Sequence, residues 1–129
     1  MVANNPYQET KKITLETLSR NEVVIKLFEE ASKQIKLGIF LIDKNESAKA
    51  YNAIAKAQKI VSRLNFALDM DYPISVELNN MYNFIFEQLG VANAKKDVEL
   101  LNKMWKMVNE LKDTFKEADK ISGGQRSGW

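Results

Sequence analysis

The sequence predicts an all-α protein, an antiparallel up-down four-helix bundle with an N-terminal arm packed on it. Three observations lead there. The stretch from Ala48 to Leu68 carries two seams of mainly apolar or small residues at helical spacing, one through Tyr51, Ile54, Gln58, Val61, Asn65 and Leu68, the other through Ala50, Ala53, Ala57, Ile60, Leu64 and Ala67. Together they wrap more than half of the helix circumference, so this helix needs partners on two sides. Three further amphipathic stretches are available to surround it, and the connections between them are short enough to fold neighbours back antiparallel.

Taken in order, residues 1–18 read as an arm. Asn4-Asn5-Pro6-Tyr7 is turn or extended chemistry, and Ile13, Leu15 and Leu18 are hydrophobic pegs without a helix face. Ser19-Arg20-Asn21-Glu22 fits a capping box and opens the first helix, whose buried row is Val24, Leu27, Phe28, Ala31, Ile35, Gly38 and Ile42. Gly38 costs about 1 kcal/mol of helix propensity relative to alanine, which is explained if a neighbouring helix approaches closely there. Asp43-Lys44-Asn45 ends that helix. The second runs from about Glu46 to Asp69, and Asp71-Tyr72-Pro73 supplies the break. A third opens near Ser75 and buries Leu78, Met81, Tyr82, Ile85, Leu89 and Ala92. Phe84 and Phe86 fall off that row, as a second buried face or an exposed apolar patch of the kind that marks a partner. Asn93 to Lys96 connects, Asp97 caps, and the fourth helix buries Leu101, Met104, Trp105, Val108, Leu111, Phe115 and Ala118. Ser122-Gly123-Gly124 is expected to stop it. The division is therefore an arm over 1–18, a bundle over 19–121 and a flexible tail over 122–129.

Composition narrows the function. The chain has 129 residues, 45% hydrophobic and 28% charged, the range of one ordinary soluble domain. Nineteen basic residues against 17 acids are interspersed rather than gathered on one face, which argues against nucleic acid as a partner. With no cysteine and no histidine, zinc sites, thiol chemistry, histidine acid-base catalysis and di-iron sites built on Glu-x-x-His are excluded. Carboxylates such as Glu29 and Glu30, or Asp113 and Glu117, have spacings that also serve ordinary ion pairs. No catalytic residue, metal ligand or cofactor is expected. The longest apolar run, Leu37 to Ile42, is too short for a bilayer span, and Met1 to Leu18 lacks the apolar core of a signal peptide. A cytoplasmic protein without stable membrane insertion is the expectation.

Gln58 and Asn65 stand two turns apart within an apolar seam. A buried amide left without a partner costs about 1–3 kcal/mol, so these two mark either a register lock or a contact to a partner.

The residues also carry a resemblance. Asn5-Pro6-Tyr7, Leu27-Phe28-Glu29-Glu30-Ala31, Lys56-Ala57-Gln58-Lys59-Ile60-Val61 with Leu64-Asn65 and Leu68, Met81-Tyr82 with Phe84 and Leu89, and Ala92-Asn93 followed by Lys96-Asp97 resemble the flagellar secretion chaperone family FliS in order and spacing. The similarity runs over nearly the whole chain. It departs at Gln8-Glu9-Thr10-Lys11, where relatives often have a second tyrosine, at Ser19-Arg20 in place of Ser/Thr-Pro, and at Phe115 in place of a tryptophan. The resemblance implies a non-enzymatic cytosolic chaperone that binds the C-terminal region of flagellin, prevents premature polymerisation and helps delivery to the flagellar type III export apparatus, whose export gate is a further possible contact.

For client contact the expectation falls on the edge of the second helix, Tyr51, Ile54, Gln58, Val61 and Asn65, then on Phe84. Internal packing of the same seam is the alternative. If the seam faces the client, truncating Val61 affects binding more than stability, whereas truncating Leu64 destabilises. Tyr7 in the arm is expected to occupy part of the client groove and to leave when the client arrives. The competing functional readings are a self-associating structural bundle and a helix-binding adaptor outside the flagellum.

Overall fold

Four helices follow one another, α1 (Arg20–Asp43), α2 (Ser47–Phe66), α3 (Pro73–Lys95) and α4 (Val98–Ser127). The computed structural model describes the backbone of residues 20–127 and the side chains of residues 22–118. The arm with Tyr7, and Ser19 of the expected capping box, lie outside the described residues. Among the described residues each helix packs on its two chain neighbours around a ring, α1 also closing on α4, and no diagonal pair makes substantial contact. That is the up-down-up-down arrangement the short connections require.

The turns have identifiable causes. After α1, Asn45 takes the left-handed conformation at φ 60°, the Glu46 amide donates to the Leu41 carbonyl at 2.9 Å, and the Asn45 amide donates to that of Ile42 at 3.0 Å. This double closure satisfies carbonyls the helix leaves open, and asparagine tolerates the positive φ. Between α2 and α3 the Ser75 hydroxyl donates to the Asp69 carbonyl at 2.6 Å, and Pro73 sits in the first turn of α3, where its missing N–H costs nothing. Lys96 ends α3 at φ 55°, and the Asp97 carboxylate accepts the Leu100 amide at 3.0 Å to cap α4. The expected stop at Ser122-Gly123-Gly124 does not occur, since α4 runs on to Ser127. Glycines weaken a helix by about 1 kcal/mol each without blocking it, and no proline follows.

One continuous core fills the ring. Phe28 and Ile35 from α1, Ile54, Val61 and Leu64 from α2, Tyr82, Ile85 and Leu89 from α3, and Leu101, Met104 and Val108 from α4 are buried in it. The Phe28 ring lies 5.4 Å from Phe115 and 6.1 Å from Tyr82, joining three helices through tilted aromatic pairs. Met81, expected inside, is instead exposed. In α2 both seams contribute to the interior, so Val61 at 1% exposure and Leu64 at 2% are equally buried. Truncating either removes core packing, and the contrast expected between them has no basis in burial.

Ala50, Ala53 and Ala57 of α2 are all buried, Ala50 and Ala53 packing with Leu41 and Ile42 of α1, and Ala50 and Ile54 come up to Gly38. A Cβ at Gly38 would stand 2.6 Å from Cγ1 of Ile54, itself fully buried. The glycine is there because the buried Ile54 side chain of α2 occupies the space a Cβ would need, with the Ala50 carbonyl 3.7 Å away. Gly38→Ala is therefore expected to lose stability by about 1–3 kcal/mol through overpacking, although alanine is the better helix former. Chemical denaturation checks it, and a raised midpoint would mean that α1 and α2 are not in this close contact.

Candidate functional site

On its other side α2 meets α3 through amides. The Gln58 Nε2 group donates to the Phe86 main-chain carbonyl at 3.1 Å, and Asn65 Nδ2 donates to Asn83 Oδ1 at 2.9 Å. Asn83 in turn donates to Asn79 Oδ1 at 3.3 Å. At the far end Asn93 Nδ2 donates to the Tyr51 carbonyl at 3.1 Å, and Lys96 donates to Asn93 Oδ1 at 3.1 Å while its ammonium lies 5.2 Å from the Tyr51 ring. Three levels of cross-bonding fix the register of α2 on α3. Of the two roles open to Gln58 and Asn65, the register lock is the one visible in the fold.

A helix carbonyl already accepts from the amide four residues on, and the side chain of that residue covers the approach to it. For Phe86 that residue is Gly90. A Cβ there would stand 3.1 Å from Gln58 Nε2, so the glycine leaves open the path by which the amide reaches the backbone. Tyr51, whose carbonyl takes Asn93, is followed four residues later by the small Ala55.

Alongside this ladder runs an open groove. Its deeper part, about 140 Å³, has Val61 and Tyr82 at the floor with Ser62, Asn65, Asn83 and Phe86 around them. Ser62 and Asn65 also line a wider part of about 430 Å³, with Phe66, Leu68, Met70 and Asn79. In the wider part Phe66 is 94% exposed and Met70 is exposed with it, and in the deeper part Phe86 is exposed, so large apolar side chains line a trough whose walls also carry amides. Burial pushes the Tyr82 phenol up to about 12, which keeps the floor uncharged at any ordinary pH. A surface of this kind suits an amphipathic helix.

The expected site residues are divided by the structure. Val61, Gln58 and Asn65 belong to this seam, Val61 from beneath. Tyr51 is exposed at its far end. Ile54 is fully buried against α1 and has no free surface. Phe84 is exposed but lies two residues from Phe86, roughly 160° round α3, and shares a row with exposed Met81 and Val91. The sequence reading missed Phe66, Met70, Asn83 and Gly90. Asn79 and Asn83, four apart and therefore on one face, were the available signal. A larger hollow of about 630 Å³ lies between the end of α1 and the start of α4, lined by Lys36, Ile39, Phe40, Ile42, Asp43, Asn45 and Val98, and contains none of these residues.

The ladder makes a measurable statement about Gly90. With Gln58 present, Gly90→Ala is expected to be neutral or destabilising, whereas in a Gln58→Ala background it should stabilise by about 1 kcal/mol, the helix-propensity gain alone. A double-mutant cycle in urea measures the coupling. Equal effects in both backgrounds would separate Gly90 from the lock.

Among the described residues no helix is long and apolar enough to cross a membrane. The profile of a family described as flagellar protein FliS matches residues 3–122. A curated relative, the flagellar secretion chaperone FliS of Bacillus subtilis (strain 168), is 27% identical over 128 residues, covering 99% of this chain and 96% of its own. With the family profile spanning nearly its full length, the chain belongs to the FliS family.

Proposed function

We propose that the protein is a cytoplasmic flagellar export chaperone whose α2/α3 groove holds an amphipathic helix from the C-terminal region of flagellin. In this role it prevents premature polymerisation of the client and assists its delivery to the flagellar type III export apparatus. The observation that carries the reading is the open trough rimmed by Phe66, Met70 and Phe86, in a family that includes a secretion chaperone.

The physical logic is that of helix-in-groove binding. Subunits that polymerise through helices must keep those helices apart until assembly, and a groove that offers substitute packing does so. The apolar rim supplies area, and Ser62, Asn79 and Asn83 supply hydrogen-bonding partners along the client. Ordering an unfolded segment costs about 2–5 kcal/mol, which offsets part of the contact energy and keeps release feasible. The amide ladder beneath holds both walls in place, so the groove is formed before the client arrives. Tyr51, Gln58 and Asn65 then act at its edge, while Ile54 and Val61 contribute by supporting α2 from inside. A second reading, self-association, is favoured by the exposed Met81, Phe84 and Val91 row on α3.

Titration calorimetry of the full chain with a flagellin C-terminal peptide tests the proposal. A stoichiometric complex with a gain in peptide helicity is expected, and Phe66→Ala should weaken it about tenfold or more without lowering the melting temperature, as for an exposed contact residue. Concentration-dependent self-assembly with no peptide binding would favour the second reading. The arm adds a further expectation: if Tyr7 fills the groove nine-tenths of the time, deleting residues 1–15 tightens the peptide about tenfold, or roughly 1.4 kcal/mol. A folded truncation that binds no better would remove Tyr7 from the groove.

A further inference from the structure

The flank of α2 that faces α1 has a different chemistry from the flank that faces α3. The helix carries four cations, Lys49, Lys56, Lys59 and Arg63, and no acid, in a chain whose net charge is only +2. Lys49, Lys56 and Arg63 recur at seven-residue spacing and so form one row along the helix. Lys56, Lys59 and Arg63, with Ile60 between them, line a hollow of about 260 Å³ whose opposite wall is Glu30 and Gln34 of α1. Seven residues to either side of Glu30 are Val23 and Leu37, exposed by 45% and 40%. The α1/α2 groove therefore has on one wall Val23 and Leu37 to either side of Glu30, and on the other a cationic row in heptad register.

The cations are not used within the fold. Among the described residues no carboxylate lies within ion-pair distance of Lys56, Lys59 or Arg63, and Lys49 has only the exposed Glu46 at 3.6 Å. Glu30 accepts instead from Gln34 Nε2 at 3.0 Å. Cations spaced by seven beside an apolar seam are what one helix of a coiled coil presents to an acidic partner. We propose that the α1/α2 groove docks an acidic amphipathic helix of a partner protein, with apolar residues against Val23, Ile60 and Leu37 and carboxylates at heptad spacing over Lys49, Lys56 and Arg63. Ser62 and Asn65 lie on the other flank of α2, more than 100° round the helix from Lys56, so the partner and a client seated on that flank can be held together. A phosphate polymer or lipid surface fits less well, because Glu30 and the apolar side chains interrupt the positive surface.

The test uses the full chain and three labelled helix-forming peptides of about three heptads. They share a leucine seam and differ only in the flanking row, which is Glu, Gln or Lys at seven-residue spacing. Fluorescence anisotropy at low salt should show the Glu peptide binding about tenfold more tightly than the Gln peptide, an advantage that falls at high salt. The double variant Lys56→Glu/Arg63→Glu should reverse the preference toward the Lys peptide. Lys56→Gln/Arg63→Gln serves if the reversal disturbs folding, and should erase the preference. Equal binding of the Glu and Gln peptides would overturn the proposal, as would a preference that survives the substitutions. Displacement of the Glu peptide by the flagellin peptide would assign the groove to the client and overturn it. Binding of phosphatidylglycerol vesicles or single-stranded RNA, lost in the same variants with no peptide preference, would overturn it in favour of a general anionic surface.

Discussion

The hydrogen bond from Gln58 to the Phe86 carbonyl is the constraint on which the groove depends. It ties a side chain of α2 to the backbone of α3, so it fixes the relative height of the helices rather than only their proximity. Hydrophobic contact alone tolerates sliding of one helix along another, because similar packing energies recur with each turn. A bond to one particular carbonyl does not. Gly90 makes that carbonyl reachable, and the Asn65–Asn83 and Asn93–Tyr51 bonds repeat the constraint at both ends. With the register set, Phe86 stands beside Val61 and Tyr82 in the deeper part of the groove, and Phe66 and Met70 line the wider part that Ser62 and Asn65 share with it.

The two flanks of α2 divide the remaining work. Toward α1 the helix is small, with Ala50 and Ala53 against Leu41 and Ile42 and with Ile54 filling the space left by Gly38, and the close approach gives a stiff pair. Toward α3 it is polar and more open, and there the surface retains large apolar groups that the core does not cover. A helix buried on both sides by large apolar residues would leave no such trough. The exposed apolar side chains lower solubility, and their retention is intelligible if they are covered during function.

Much of this was legible from residue order alone. Helical periodicity placed all four helices, because each buried row repeats over several turns, and Gly38 was correctly read as a point of close approach. The amides of α2 were recognised as unusual, but their partners could not be found, since a seam amide is equally suited to a neighbouring carbonyl and to a client. Gly90 went unread for the same reason: its meaning lies in Gln58, which is distant in sequence. The seam itself misled at Ile54 and Val61, where helical spacing joined residues that the tertiary packing then separated into exposed edge and buried interior. Phe66 was missed because it ends its helix, off both seams, where no apolar periodicity marks it. The continuation of α4 past Gly123-Gly124 is a local preference overridden by a helix already propagating.

Chemical-shift mapping of the isotopically labelled full chain with a flagellin C-terminal peptide locates the client on the surface. The largest changes are expected on Ser62, Phe66, Met70, Asn83 and Phe86, with the Gln58 side-chain amide signals retained because the lock stays closed. Changes concentrated instead around Lys36, Phe40 and Val98, with the α2/α3 residues unmoved, would contradict this and place the client in the hollow between α1 and α4.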